Sequence, residues 1–165
     1  MHNLDLVHFH AYPLNGVHSV EQQTIPSSKP RGLWVSVEGN GDGWSDWCKA
    51  EKFRLENLKC QAKIKLHENS NILLLTSSSD IDLFNETYRE KYCKPYDHNA
   101  INWVKVASKY SGIIIAPYVW SRRLGCNTMW YYGWDCASGC IWDAKTIKSI
   151  QPCADICLVG EAAGV

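Results

Sequence analysis

Apolar and polar positions along the chain follow two periods, and the period of two dominates. "LDLVHFHAY" (4–12) alternates and predicts a first strand, with His8 and His10 two residues apart on one face. "LWVSV" (33–37) predicts a second strand that sets Trp34 and Ser36 on one face and Leu33, Val35 and Val37 on the other. "LKCQAKIKL" (58–66) alternates through Leu58, Cys60, Ala62, Ile64 and Leu66, as a half-buried strand does. "NILLLT" (71–76) and "SGIIIAP" (111–117) are unbroken apolar runs, the pattern of more fully buried strands. "GCIWD" (139–143) predicts another strand, and "LVG" (158–160) a last short one.

The helical period shows in three places. "DWCKAEKF" (46–53) predicts a short helix capped by Ser45. "SSSDIDLFNETYREKY" (77–92) opens on capping residues and spaces Ile81, Phe84 and Tyr88 along one helix face. "AINWVKVASKY" (100–110) predicts an amphipathic helix with Ile101, Trp103 and Val104 facing in. "SVEQQTIPSSKPRG" (19–32) has no period, and its Pro26, Ser27, Ser28, Pro30 and Gly32 make it a loop; "EGNGDG" (38–43) is turn-rich. With no linker, repeat or low-complexity segment, one α+β domain spanning 1–165 is expected.

A chain of 165 residues is long enough to bury a core without staples. Its formal net charge is zero, so general binding of nucleic-acid backbones is not expected. The start "MHNLDLVHFHAYPL" lacks a basic segment followed by a long apolar one, and no apolar run approaches a membrane span. A cytoplasmic protein without a membrane partner is therefore expected.

There are eight cysteines, including Cys136-x3-Cys140 and Cys153-x3-Cys157. That spacing departs from the two-residue knuckle of zinc sites, so no metal is expected and buried thiols acting as small hydrophobes are the better reading. The eight tryptophans spread from Trp34 to Trp142 without marking a repeat. Most are expected in the core, and some along a concave site suited to flat or cationic ligands.

Candidate chemistry concentrates in "YYGWDCASGCIWD" (131–143), where Asp135 sits between Trp134 and Cys136 in a segment that otherwise reads as buried. A carboxylate there must find hydrogen bonds or shift its pKa, the circumstance in which acids become catalytic. A loop-capping aspartate is the plainer alternative. Arg122 and Arg123 in "YVWSRRLG" suit either a phosphate grip or a solvated basic turn. His8 and His10 form a pair on one strand face, and Trp34 with Ser36 offers stacking plus a hydrogen bond. No Gly-rich phosphate loop and no Gly-x-Ser-x-Gly elbow occurs.

Taken in order, "LVHFH", "GLWVS", "YSGIII" and "CIWDAKTIKSI" resemble the ADP-ribosyltransferase superfamily, in particular small bacterial and phage-encoded transferase-like domains. "KPRGLWVS" and "YYGWDCASGCIW" are similar to stretches of phage and actinobacterial proteins. The resemblance implies two small antiparallel-rich sheets forming a cleft with flanking helices, and NAD bound there as substrate. It implies cleavage of the nicotinamide–ribose bond and transfer of ADP-ribose to a protein, nucleic-acid or small-molecule acceptor.

Carried onto this chain, His8 takes the ribose-binding place, with His10 in reserve, and Trp34 and Ser36 take the second-strand places. The family's acid falls four residues before the closing aromatic, Trp142, where this chain has Ser138; Asp135 is the nearest acid. The catalytic candidates are thus His8, Asp135 and Ser138, and the cofactor-binding candidates His10, Trp34, Ser36, Arg122, Arg123 and Trp134. Two rivals stand beside this reading. One is a non-catalytic module holding a nucleotide or partner peptide in a tryptophan-rich cleft; the other is a hydrolase or nuclease built on the histidine pair.

Overall fold

A computed structural model describes residues 4–10, 14, 16–90 and 100–152. The strands are β1 (Asp5–His10), β2 (Leu33–Glu38), β3 (Cys60–Leu66), β4 (Ile72–Leu75), β5 (Gly112–Ile115), β6 (Ser138–Ile141) and β7 (Ile147–Pro152). The helices are α1 (Trp44–Glu51), α2 (Ser78–Tyr88) and α3 (Trp103–Ala107). Single 3-10 turns cover Leu55–Leu58, Trp120–Arg122, Met129–Trp134 and Ala144–Thr146.

The expected α+β class is observed, with one mixed sheet of seven strands ordered β4-β5-β6-β2-β1-β3-β7. Two separate small sheets were expected. They merge because β2 pairs antiparallel with both β1 and β6, which joins the two halves into one ladder. Only β4 and β5 run parallel, joined by the crossover that carries α2 and α3.

Several local expectations shift in instructive ways. The "NILLLT" strand, β4, is an edge with a single partner, so Leu74 is exposed, whereas β5 between two partners is buried throughout. An apolar run reports sequence composition and leaves the position in the sheet open. The stretch "IKSIQP" (147–152), to which the residue pattern assigns no element, forms the edge strand β7 against β3. The "LVG" strand lies outside the described residues. Helix α3 is only five residues long: Trp103 and Val106 face in, while Val104 is exposed and Ile101 bridges to Ser27 and Arg89.

Of the two expected helix caps, the one at the start of α2 holds and the one at α1 does not. Ser77 caps α2 by accepting from the Asp80 amide at 3.2 Å, and Asp143 caps the turn after β6 by accepting from the Lys145 amide. Ser45 does not cap α1. Gly43 takes that place, and Ser45 sits in the first turn, where its amide and hydroxyl both donate to Glu38.

The core is aromatic. Phe84 packs against Tyr88, Trp103 and Trp130, and Trp103 in turn meets Trp134 and Trp142. Buried indoles need acceptors for their N–H groups. Trp103 donates to the Ser27 carbonyl at 2.9 Å, Trp130 to Asn85 Oδ1 at 3.2 Å and Trp142 to the Tyr110 carbonyl at 2.7 Å. Gly139 in β6 lets the neighbouring strand approach, since a Cβ there would lie 2.5 Å from the Ile113 carbonyl oxygen. Among the described residues, no helix is long and apolar enough to cross a membrane.

Candidate functional site

The pairing of β1 with β2 covers only Asp5–Val7 against Ser36–Glu38. Beyond that point β1 continues on β3 through His10, and β2 continues on β6 through Leu33. The sheet is thus forked, and a cleft of about 340 Å³ opens in the fork. Its walls include His8, His10, Trp34, Ser36, Trp134, Asp135 and Ser138.

The fork explains how both sequence-marked pairs reach one cleft. With Val7 paired to Ser36, strict alternation would turn His8 and His10 away from the face that carries Trp34 and Ser36. Where the ladder ends, that constraint ends too. His8 fills the gap with its side chain, its Nδ1 lying 2.7 Å from the Trp34 carbonyl oxygen. A carbonyl only accepts, so Nδ1 carries the proton and Nε2 the lone pair. Burial, opposed by that bond and reinforced by His10, lowers the His8 pKa below its ordinary value and keeps the ring neutral. The two imidazoles stack with centroids 5.6 Å apart.

On the second strand, Ser36 donates to Glu38 Oε1 at 2.5 Å and accepts from the Trp44 amide at 2.7 Å. Glu38 also takes the amide of Ser45 and its hydroxyl. The carboxylate therefore closes the start of α1, where the exposed amides and helix dipole favour negative charge. Glu38 was not singled out in the sequence, although its spacing from Trp34 and Ser36 puts it on their face.

The opposite wall comes from the Met129–Trp134 turn and β6. Trp134 meets Trp34 edge to face with centroids 4.9 Å apart, and its buried indole N–H has no partner. Asp135 has φ 60, a left-handed backbone conformation that non-glycine residues adopt at a cost. Its carboxylate pairs with Arg123 at 3.2 Å. Ser138, paired across the strands with Ser36, donates to the Cys136 carbonyl at 3.0 Å. Burial pushes the Cys136 thiol up to about 12, so it stays protonated and acts as packing.

The two arginines divide. Arg122 forms a bidentate pair with Asp82, at 2.7 and 2.6 Å, and is not part of the cleft wall. Arg123 lies between the rings of Trp120 and Tyr132 and reaches the cleft only through Asp135. The cations that do line the cleft are Lys29, whose Nζ sits 5.0 Å from the Trp34 ring centroid, and Arg54. Both come from segments without periodicity, where sequence offers no signal for a site. Trp44 completes the aromatic lining.

Cys48, Cys136 and Cys140 are buried, while Cys126 is exposed and therefore no core thiol. Among the described residues, no group of three potential metal ligands converges. Comparison with protein-family models, with curated proteins and with solved structures gives no match. The class defined by fold and site is thus an α+β domain with an aromatic cleft in a forked sheet.

Proposed function

We propose that the cleft binds NAD and that the protein is an ADP-ribosyltransferase-like enzyme. The observation that carries this reading is His8: a neutral ring, fixed by its Nδ1–H, with an acceptor nitrogen among the residues of a cleft lined by Trp34, Trp44 and Trp134. Such a nitrogen suits a ribose hydroxyl, the indoles suit flat rings, and Lys29 and Arg54 suit a pyrophosphate.

In the proposed reaction the C1′–N bond breaks and its electron pair leaves with nicotinamide. The cationic sugar carbon is then attacked by an acceptor oxygen, nitrogen or sulfur, which gives up a proton. Asp135 is the carboxylate nearest in sequence to the place of Ser138, and it lines the cleft. A carboxylate that faces developing positive charge is worth a few kcal/mol to the transition state.

One observation favours binding without transfer. The Asp135 charge is offset by Arg123, and the Ser138 hydroxyl is spent on a backbone carbonyl. Incubation with labelled NAD and candidate acceptors separates the readings. Nicotinamide release with label incorporation, both lost in His8→Ala, supports transfer. Saturable NAD binding with neither product supports a binding module, and absence of NAD binding overturns both.

A further inference from the structure

Two non-glycine residues just after α1 hold a left-handed backbone, Lys52 at φ 54 and Arg54 at φ 44. Lys52 ends α1, and Arg54 opens the Leu55–Leu58 turn. A side chain with a Cβ adopts this conformation at a cost that glycine does not meet. The two bends fold the chain back on the helix. Phe53, between them, sets its ring edge-on to Trp44 and Trp47, with centroids 6.1 and 5.4 Å away, and those two indoles stack on each other. The Arg54 guanidinium then lies 5.1 Å from the Phe53 ring centroid and lines the cleft beside Trp44 and Asn57. Arg122 and Arg123 each have a carboxylate partner; among the described residues, Arg54 forms no ion pair. It is a cation fixed in the cleft wall with no carboxylate to compensate it.

We infer that Arg54 is the specificity-determining residue for a phosphate on the ligand, that Phe53 is its positioning residue, and that the left-handed backbone at Arg54 is strain retained for this role. A merely solvated basic turn has no use for a ring seat, and glycine would relieve its backbone. The planar guanidinium offers paired N–H groups that match phosphate oxygens two at a time. Lys29, the other cation on the wall, is a single-point ammonium lying over the Trp34 ring, and it supplies charge without that fork. At about 340 Å³ the cleft is small for a ligand site, so Arg54 reads the phosphate next to the part of the ligand that the cleft encloses. Lys52 shares the backbone conformation but is not part of the cleft wall, which makes it an internal control.

The inference rests on the NAD reading and deepens it, because it ties phosphate recognition to one residue and to a measurable strain. The test compares nicotinamide mononucleotide with nicotinamide riboside, which lacks the phosphate, and includes NAD as a reference. Binding is followed by quenching of tryptophan fluorescence, and stability by the melting temperature. The wild-type chain is expected to favour the mononucleotide by about tenfold or more. Arg54→Gly should lose most of that preference, keep riboside affinity within about twofold, and melt no lower than wild type, since backbone relief offsets the lost contact with Phe53. Arg54→Lys should recover only part of the preference, and Phe53→Leu should reduce it severalfold. Lys52→Gly should melt higher with both affinities unchanged. Retained riboside binding shows that each variant is folded. An unchanged preference in Arg54→Gly overturns the inference, and so does a melting temperature clearly below wild type, which would make Arg54 a structural residue of the turn. An unchanged preference in Phe53→Leu removes Phe53 from the account. Equal binding of mononucleotide and riboside by the wild-type chain, or binding of NAD alone, overturns the inference and leaves the NAD reading intact. Failure to bind any of the three overturns both.

Discussion

His8 Nδ1 lies 2.7 Å from the Trp34 carbonyl oxygen, at the place where β1 and β2 stop pairing. A side chain thus takes over a bond that the backbone ladder would otherwise make. The exchange gives the Trp34 carbonyl a partner and fixes the ring whose other nitrogen lines the cleft. Fold and site meet in this one contact.

The first prediction concerns pH. The His8 pKa is lowered from an ordinary 6.5, chiefly by burial. Below 6.5 the unfolded chain therefore takes up a proton that the folded one resists. Stability is complete above that pH and declines as pH falls toward the folded pKa. A melting temperature that falls as pH drops below 6.5 in the wild type, and falls less in His8→Gln, is the expected result. Equal pH dependence in both proteins would place the titrating group elsewhere.

Asp135 combines a positive φ with an ion pair, and substitutions separate the two. Asparagine tolerates the backbone conformation but carries no charge. Asp135→Asn should keep the fold within about 1 kcal/mol, since a single ion pair still in reach of solvent contributes little. It should still lower nicotinamide release by about tenfold or more. Asp135→Val should unfold more easily by about 1–3 kcal/mol, because a branched side chain resists positive φ. Chemical denaturation and NAD turnover read the two effects separately. A turnover loss that merely follows stability across both variants would deny Asp135 a chemical role.

Much of the scaffold was legible in the residue pattern. Alternation marked β1, β2 and β3, and the spacing of Ile81, Phe84 and Tyr88 marked α2; burial follows the pattern in β3 and α2, whereas β1 buries Leu6 and Val7 alike and β2 buries Val35, Ser36 and Val37 in a row. The edge strand β7 escaped notice since edges carry weak patterning, and α3 was read too long because "AINWVKVASKY" mixes a bridge residue with a single helical turn and a half. The site was legible in its residue types but not in its geometry. His8, Trp34, Ser36 and Asp135 stood out by composition, yet only a forked sheet lets opposite strand faces share a cleft, and no period encodes a fork. Glu38 was visible by spacing; Lys29 and Arg54 were not visible at all.

Thiol chemistry should follow burial. Cys126 is exposed, whereas Cys48, Cys136 and Cys140 are buried and their pKa values are raised by that burial. Iodoacetamide near pH 8 should therefore label Cys126 within minutes and reach the three buried thiols only after denaturant is added. Peptide mass spectrometry of timed samples reads the order. Early labelling of Cys136 would mean that the wall of the cleft opens in solution.

Trp103 links the core to the cleft. Its indole is 2% exposed, packs against Phe84 and three other tryptophans, and donates to the Ser27 carbonyl. Ser27 in turn holds the next residues through its hydroxyl bond to the Lys29 carbonyl, and the Lys29 side chain lines the cleft. Trp103→Phe keeps most of the ring packing and removes one of the two donors to the Ser27 carbonyl, the Ile101 amide at 2.9 Å remaining, so a loss of about 1 kcal/mol is expected. Trp103→Ala adds a large cavity and should cost about 3–5 kcal/mol. Trp103→Phe should also weaken NAD binding at a temperature where the protein remains folded, because the segment that presents Lys29 then keeps only its backbone bonds to Ile101 and has lost its side-chain anchor. Lys29→Ala should produce the same weakening without the loss of stability, since Lys29 is exposed. If Trp103→Phe loses stability but binds NAD as the wild type does, the 27–29 segment is held by other contacts and Lys29 reaches the cleft independently of the core.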